Sequence, residues 1–214
     1  MRRVTVRADA MVGVAIRPAQ DVELLLRDPS GRRVKRRYTI RHARPELGEL
    51  DLDVLLHGDT PGATWAATAQ PGDPVEFQGP RGKLELRQAP LHLLIGDESA
   101  LPAIAAISEA LPTDEPARAV IEVGGAEDEL PVTTQTRWVH RGDNPPGTPD
   151  PLVAALDQLD IPANAHGYLM GETRAMVALR SALEARGVAH DAIFVKGYWN
   201  LGRPDRLAGR APTS

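Results

Sequence analysis

The sequence predicts two domains in series: an antiparallel, six-stranded β-barrel over residues 1–89, then an α/β domain with a mostly parallel sheet over residues 90–202. Three observations carry this. Apolar residues alternate with polar ones through the first half, the period of a half-buried strand. Past Ala89-Pro90 the pattern changes to continuous apolar runs separated by helical stretches. Glycine and proline, 19 of each, make 38 of the 214 residues, above the usual share of about 12% and in keeping with many tight turns.

Val4 and Val6 alternate with polar residues and open the barrel. Val22–Leu26 and Val34–Ile40 follow, joined across Asp28-Pro29-Ser30-Gly31, a turn signal. Leu50, Leu52, Val54 and Leu56 alternate with Asp51 and Asp53. Val75–Phe77 and Lys83–Leu86 complete the six, set off by Pro71-Gly72-Asp73 and Gly79-Pro80-Arg81-Gly82. In the second half Leu91–Ile95 reads as a buried strand, with a helix from about Ser99 to Leu111. Ala119–Val123, Trp138–Val139, Tyr168–Met170 and Ile193–Val195 are further strands, and Pro151–Leu159 and Thr173–Arg186 are helices, the last ended by Gly187. Strands alternating with helices imply crossovers and so a parallel sheet. Residues 203–214 are expected to form a flexible tail.

The formal charge of -4 and pI near 5.9 argue against nucleic acid as a partner, because duplex binding draws on a basic face. Cysteine is absent, which excludes disulfides, thiolate metal sites and iron–sulfur clusters, so any redox chemistry needs an organic cofactor. The basic start, Met1-Arg2-Arg3, lacks the apolar stretch of a signal peptide, and no apolar run approaches a membrane span. A cytoplasmic protein without membrane contact is expected, and a monomer. His42, His57, His92, His140, His166 and His190 show no paired metal-ligand spacing. Ser99 lacks the flanking glycines of a nucleophile elbow. Metal-hydrolase and serine-hydrolase chemistry are therefore set aside.

The first candidate motif is Arg36-Arg37-Tyr38-Thr39-Ile40-Arg41. An isoalloxazine ring wants an aromatic plane and a hydrogen-bond donor, and a diphosphate wants a guanidinium that binds two oxygens in one plane. Six residues supply all three; the plain alternative is an edge strand with a solvated basic face. The second is Leu56-His57-Gly58 followed by Pro61-Gly62-Ala63-Thr64-Trp65-Ala66. A glycine turn before a short helix offers backbone N–H groups to a phosphate, and a lone histidine there is as readily structural.

The order of these motifs, with Pro71-Gly72-Asp73, Gly79-Pro80-Arg81-Gly82, Gly96-Asp97-Glu98-Ser99-Ala100-Leu101-Pro102, Gly171-Glu172 and Lys196-Gly197-Tyr198-Trp199, resembles the siderophore-interacting protein family of ferredoxin-reductase-like flavoproteins. The resemblance runs from about Arg3 to Gly202. It implies a fold in which the barrel binds FAD and the parallel-sheet domain binds NADH or NADPH, with a lean to NADPH.

Carried over, the resemblance sets Tyr38 and Thr39 against the reactive ring as the catalytic pair and Arg36 on the diphosphate, with Ile40 and Arg41 completing the strand. His57 and Gly58 would meet the ribityl or ring region; Thr64, Trp65 and Ala66 would line the diphosphate and adenine side. Gly96, Asp97, Ser99 and Ala100 would form the first strand-to-helix turn facing the nicotinamide nucleotide, through backbone N–H groups, with the carboxylates turned outward or toward a helix cap. Gly171 and Glu172 belong to the same nucleotide set. Arg141 is a candidate for the 2′-phosphate of NADPH or else a surface arginine, and the acidic stretch from Glu122 to Glu129 opposes that phosphate. Lys196, Tyr198 and Trp199 would emerge at the cleft between domains and meet the iron chelate.

The chain departs from the family pattern at Asn200, where arginine is usual, and at Leu169-Met170, where tryptophan and alanine are usual. It is also short for the family, which leads one to expect a looser adenine end. The expected function is FAD-containing, NAD(P)H-dependent reduction of a ferric siderophore, with release of iron as Fe(II). The alternatives are a flavin-dependent reductase with another acceptor, such as ferredoxin, a quinone or free flavin, and a non-catalytic siderophore-binding module.

Overall fold

The structure, a computed structural model, describes residues 1–202; the expected tail at 203–214 lies outside them. Those residues divide into two compact units, Met1–Lys83 and Leu84–Gly202.

The first unit is built on β1 (Arg2–Arg7), β2 (Asp21–Arg27), β3 (Arg33–Arg44), β4 (Glu49–Val54), α1 (Pro61–Thr68) and β5 (Glu76–Arg81). The strands form one antiparallel sheet in the order β1-β4-β3-β2-β5. Five strands are present among the described residues where the sequence predicted six. Lys83–Leu86 keeps its alternation, with Leu84 buried, but among the described residues it has no ladder partner. Alternation reports one-sided burial, whereas a strand also needs a neighbour for its N–H and C=O groups. The expected turn at Gly79-Pro80-Arg81-Gly82 starts too early: β5 runs on to Arg81, which pairs with Asp21 across a register shift.

Val22, Leu24 and Leu26 of β2 and Leu50, Leu52 and Val54 of β4 point into one core with Val6, Val34, Ile40 and Ala66. Each fully buried aliphatic side chain there contributes about 1.5–3 kcal/mol. On the β4 face turned away, Asp51 accepts from Arg44 Nη2 at 2.7 Å and Nη1 at 2.9 Å and from Thr5 Oγ1 at 2.7 Å. Hydrogen bonding from Arg44 foremost pulls its carboxyl down to about 2.

The second unit contains β6 (His92–Asp97), α2 (Leu101–Ala110), β7 (Ala117–Val123), β8 (Gln135–His140), α3 (Asp150–Leu156), β9 (His166–Glu172), α4 (Thr173–Glu184) and β10 (Ile193–Trp199). All five strands are parallel, in the order β10-β9-β6-β7-β8. Leu93, Leu94, Ile95, Val120, Ile121, Leu169 and Met170 are fully buried, as a parallel sheet covered on both faces requires. Leu93 and Ile95 share a core with Leu152 and Leu156 of α3 and Met176, Leu179 and Leu183 of α4. A Cβ at Gly96, on the other face of β6, would lie 3.3 Å from Ile104 Cδ1 of α2. Helices therefore flank both faces. The helix expected from Ser99 begins at Leu101, after a single 3₁₀ turn at Glu98–Ala100. Pro102 suits the first turn of α2, where its missing N–H costs nothing.

No helix among the described residues is long and apolar enough to cross a membrane.

Candidate functional site

In the first unit, strand alternation puts Arg36 and Tyr38 of β3 on the face that carries Val34 and Ile40, and Thr39 on the opposite face. Thr60 caps α1, its Oγ1 accepting from Ala63 N at 3.3 Å. The Tyr38 ring packs near Trp65 of that helix, centroids 6.4 Å apart and planes tilted by 32°. A Cβ on Gly62 would fall 1.6 Å from the Tyr38 hydroxyl oxygen. Gly62 is thus the residue that lets the tyrosine lie across the start of the helix. Pro61-Gly62 was read as a source of phosphate-facing N–H groups; its glycine also has this packing role, which a tyrosine paired with a later Pro-Gly turn only hints at.

Arg36 donates from Nη1 to Lys35 O at 2.8 Å, Arg41 Nη1 lies 2.8 Å from His42 Nε2, and Thr39 is buried. His57, Gly58 and Thr64 are exposed around the turn into α1. Two expected ligand contacts are core residues. Ile40 and Ala66 are 2% and 0% exposed within the apolar cluster, so their side chains offer packing rather than a reachable surface. The first unit nevertheless fits a flavin dinucleotide: one strand-and-helix corner supplies an aromatic plane, a hydroxyl, guanidinium groups and a capped helix start, around a glycine whose Cβ the tyrosine would exclude.

In the second unit the order of strands reverses between β6 and β9, the switch point beyond which open α/β sheets bind ligands. Asp97 stands there as a hub. Its Oδ1 accepts from Ser99 N at 2.9 Å and from Ser99 Oγ, and its Oδ2 accepts from Glu172 N at 2.8 Å and Trp199 Nε1 at 2.9 Å. The carboxylate does turn to a cap. That changes the reading of Ser99, whose N–H was expected to face the nucleotide and is instead bonded to Asp97. Gly171, at φ +148°, is required by the same hub: a Cβ would sit 2.5 Å from Asp97 Oδ2.

Glu172, 1% exposed, accepts from Ala175 N at 2.8 Å and Leu201 N at 3.1 Å, and so caps α4. Trp199 was expected as a chelate contact; its indole N–H is engaged with Asp97 and its carbonyl accepts from Thr173 Oγ1 at 3.0 Å. Lys196 Nζ lies 5.2 Å from the Tyr198 ring centroid, a cation–π distance, and the Tyr198 hydroxyl reaches Met170 Sδ at 3.7 Å. Met170, a departure from the family pattern, thereby supports that tyrosine.

Arg141 follows β8 and is no solvated surface residue. Its Nη1 is 3.2 Å from Glu122 Oε1 and its Nη2 is 3.3 Å from Glu98 Oε1, with the guanidinium side chain 14% exposed. Burial raises the Glu122 carboxyl above the usual range, and Arg141 opposes that rise. Sequence distance hid this triad, since its members come from three different strand ends.

Comparison with known proteins defines the class. The family description "Siderophore-interacting FAD-binding domain" matches residues 19–84, and "Siderophore-interacting protein" matches residues 89–202. The chain belongs to the siderophore-interacting protein family and has the ferredoxin-reductase-like fold. Among its relatives, an uncharacterized Mycobacterium tuberculosis protein is 39% identical over 189 residues, covering 80% of this chain and 67% of that one. The ferric vibriobactin reductase ViuB of Vibrio cholerae is 34% identical over 186 residues, covering 82% and 68%. The crystal structure of a siderophore utilization protein from T. fusca superimposes with a TM-score of 0.84 at 32% identity, over 95% of this chain and 88% of that one.

Proposed function

We propose that this protein is an FAD-containing oxidoreductase that uses NADH or NADPH to reduce a ferric siderophore and release its iron as Fe(II). The observation that carries the reading is the 34% identity to a ferric vibriobactin reductase across both units, joined to the Tyr38–Trp65–Gly62 corner of the first unit.

A bound flavin supplies the exchange between a two-electron donor and a one-electron acceptor. The protein's own residues do the rest. Tyr38 offers an aromatic face and Thr39 a hydroxyl beside the ring, while Arg36 holds the diphosphate. Lys196 and Tyr198 present a positive charge and an aromatic edge to an anionic ferric chelate. Hard oxygen ligands hold Fe(III) better than Fe(II), so the loss of one charge at the metal loosens the chelate. No general base is needed, and positioning is the main requirement.

The test is the absorption spectrum of the purified protein, then oxidation of each nicotinamide with and without ferric chelates. Turnover that requires chelate is the expected result. Turnover with ferredoxin, quinone or free flavin instead would make it a reductase of another acceptor, and none with any acceptor a binding module. A polypeptide that stays colourless with excess FAD ends the proposal.

A further inference from the structure

The charged side chains at the carboxyl ends of β6, β7 and β8 bear on the identity of the electron donor. Asp97 and Glu122 sit opposite one another in register at the ends of β6 and β7, and Arg141 N donates to Val123 O at 2.9 Å, which brings the end of β8 alongside. Glu98 and Glu122 each hold one nitrogen of the Arg141 guanidinium. Asp128 is the next carboxylate: a Cβ on Gly124 would lie 2.6 Å from its Oδ2 and 3.5 Å from Arg141 Nη2. Two carboxylates, Glu98 and Glu122, hold the one guanidinium, and Asp128 lies close by, so the ensemble is negative.

In doubly wound sheets the group that reads the donor's adenosine ribose comes from the end of the second strand, about 20 residues after the first strand-to-helix turn. A carboxylate there accepts from a 2′-hydroxyl, and an arginine there holds a 2′-phosphate. Glu122 ends β7 at that place, but its side chain is buried and turned to Arg141, and that arginine is already engaged by two carboxylates. A 2′-phosphate would bring about -1.5 to -2 charges against them.

Resting on the reading of this unit as the nicotinamide-binding one, we infer that Glu98, Glu122 and Arg141 form a donor-selectivity device that admits NADH and disfavours NADPH. Glu98 and the buried Glu122 together hold Arg141 and keep it from serving a phosphate.

Flavin reduction by each nicotinamide tests this, on protein whose flavin content and unfolding midpoint match the native chain. The native protein should favour NADH over NADPH in kcat/KM by at least about tenfold, equivalent to about 1.4 kcal/mol. Glu98→Gln, at a side chain 20% exposed, should shift that ratio toward NADPH several-fold; the double variant with Glu122→Gln should shift it further. Calorimetric titration with 5′-AMP and 2′,5′-ADP gives a readout free of turnover: 5′-AMP should bind tighter to the native chain. Equal or better use of NADPH by the native protein, or a ratio unmoved by Glu98→Gln, overturns the inference while leaving the reductase reading intact. Flavin that neither nicotinamide reduces overturns both.

Discussion

Replacing Asp97 with Asn tests the hub of the second unit by removing a charge while keeping the shape. The carboxylate accepts four bonds: Ser99 N and Ser99 Oγ at Oδ1, Glu172 N and Trp199 Nε1 at Oδ2. An amide has one oxygen, so one pair of donors must face an NH₂ group. With the NH₂ toward Glu172 and Trp199, two N–H groups lose their acceptor. Toward Ser99 the hydroxyl can rotate to accept, and only the Ser99 N–H is stranded. The cheaper orientation costs about 1–3 kcal/mol for that donor, plus the loss of charge assistance at the remaining bonds. The expected destabilisation is about 2–4 kcal/mol, or a Tm lowered by about 5–15 °C. Thermal unfolding followed by tryptophan fluorescence measures it. Trp199→Phe alone should cost about 1 kcal/mol, and combined with Asp97→Asn it should add less than the sum, because the two share one bond. A Tm within about 2 °C of native for Asp97→Asn would refute the idea that this carboxylate ties β6, β9 and β10 together.

Gly62→Ala should displace Tyr38, since the new methyl would overlap its hydroxyl at 1.6 Å; a flavin-to-protein ratio equal to native would show that the corner does not depend on this contact. Tyr38→Ala should likewise weaken flavin retention, read from the same ratio. Asp51 has its carboxyl lowered to about 2, so it stabilises the fold fully above its unfolded value of about 4 and loses that contribution as pH falls through about 2; the contribution is about 2 kcal/mol. Acid unfolding of Asp51→Asn should accordingly show a shallower loss of stability between those pH values than the native chain. Lys196→Gln should raise KM for an anionic ferric chelate several-fold with little change in flavin content; an unchanged KM would remove Lys196 from chelate recognition.

Much of the site could be read from local pattern, because its chemistry lies in short segments. Arg36 to Arg41 sit on one strand, and Gly96 to Leu101 form one strand-to-helix turn, so residue type and neighbour spacing reveal them. What sequence spacing could not reveal is which side chain each of these would meet. Ile40 and Ala66 looked available beside polar motif residues, yet alternation on β3 and the inward face of α1 place them in the core.

The amino-acid sequence by itself determined the two-part plan, the family and the periods of nearly every strand and helix, because burial on one face imposes a rhythm that is local. Tertiary structure alone decided the rest. Lys83–Leu86 finds no strand neighbour among the described residues, and Asp97, Trp199 and Glu172 became one hydrogen-bonded hub although the tryptophan lies far along the chain. Arg141, ambiguous as a residue, acquired a role once three parallel strand ends brought Glu98 and Glu122 to its nitrogens. The physical reason is common to all three. A hydrogen bond or ion pair needs two partners in space, and only the pairing of distant strands says who they are.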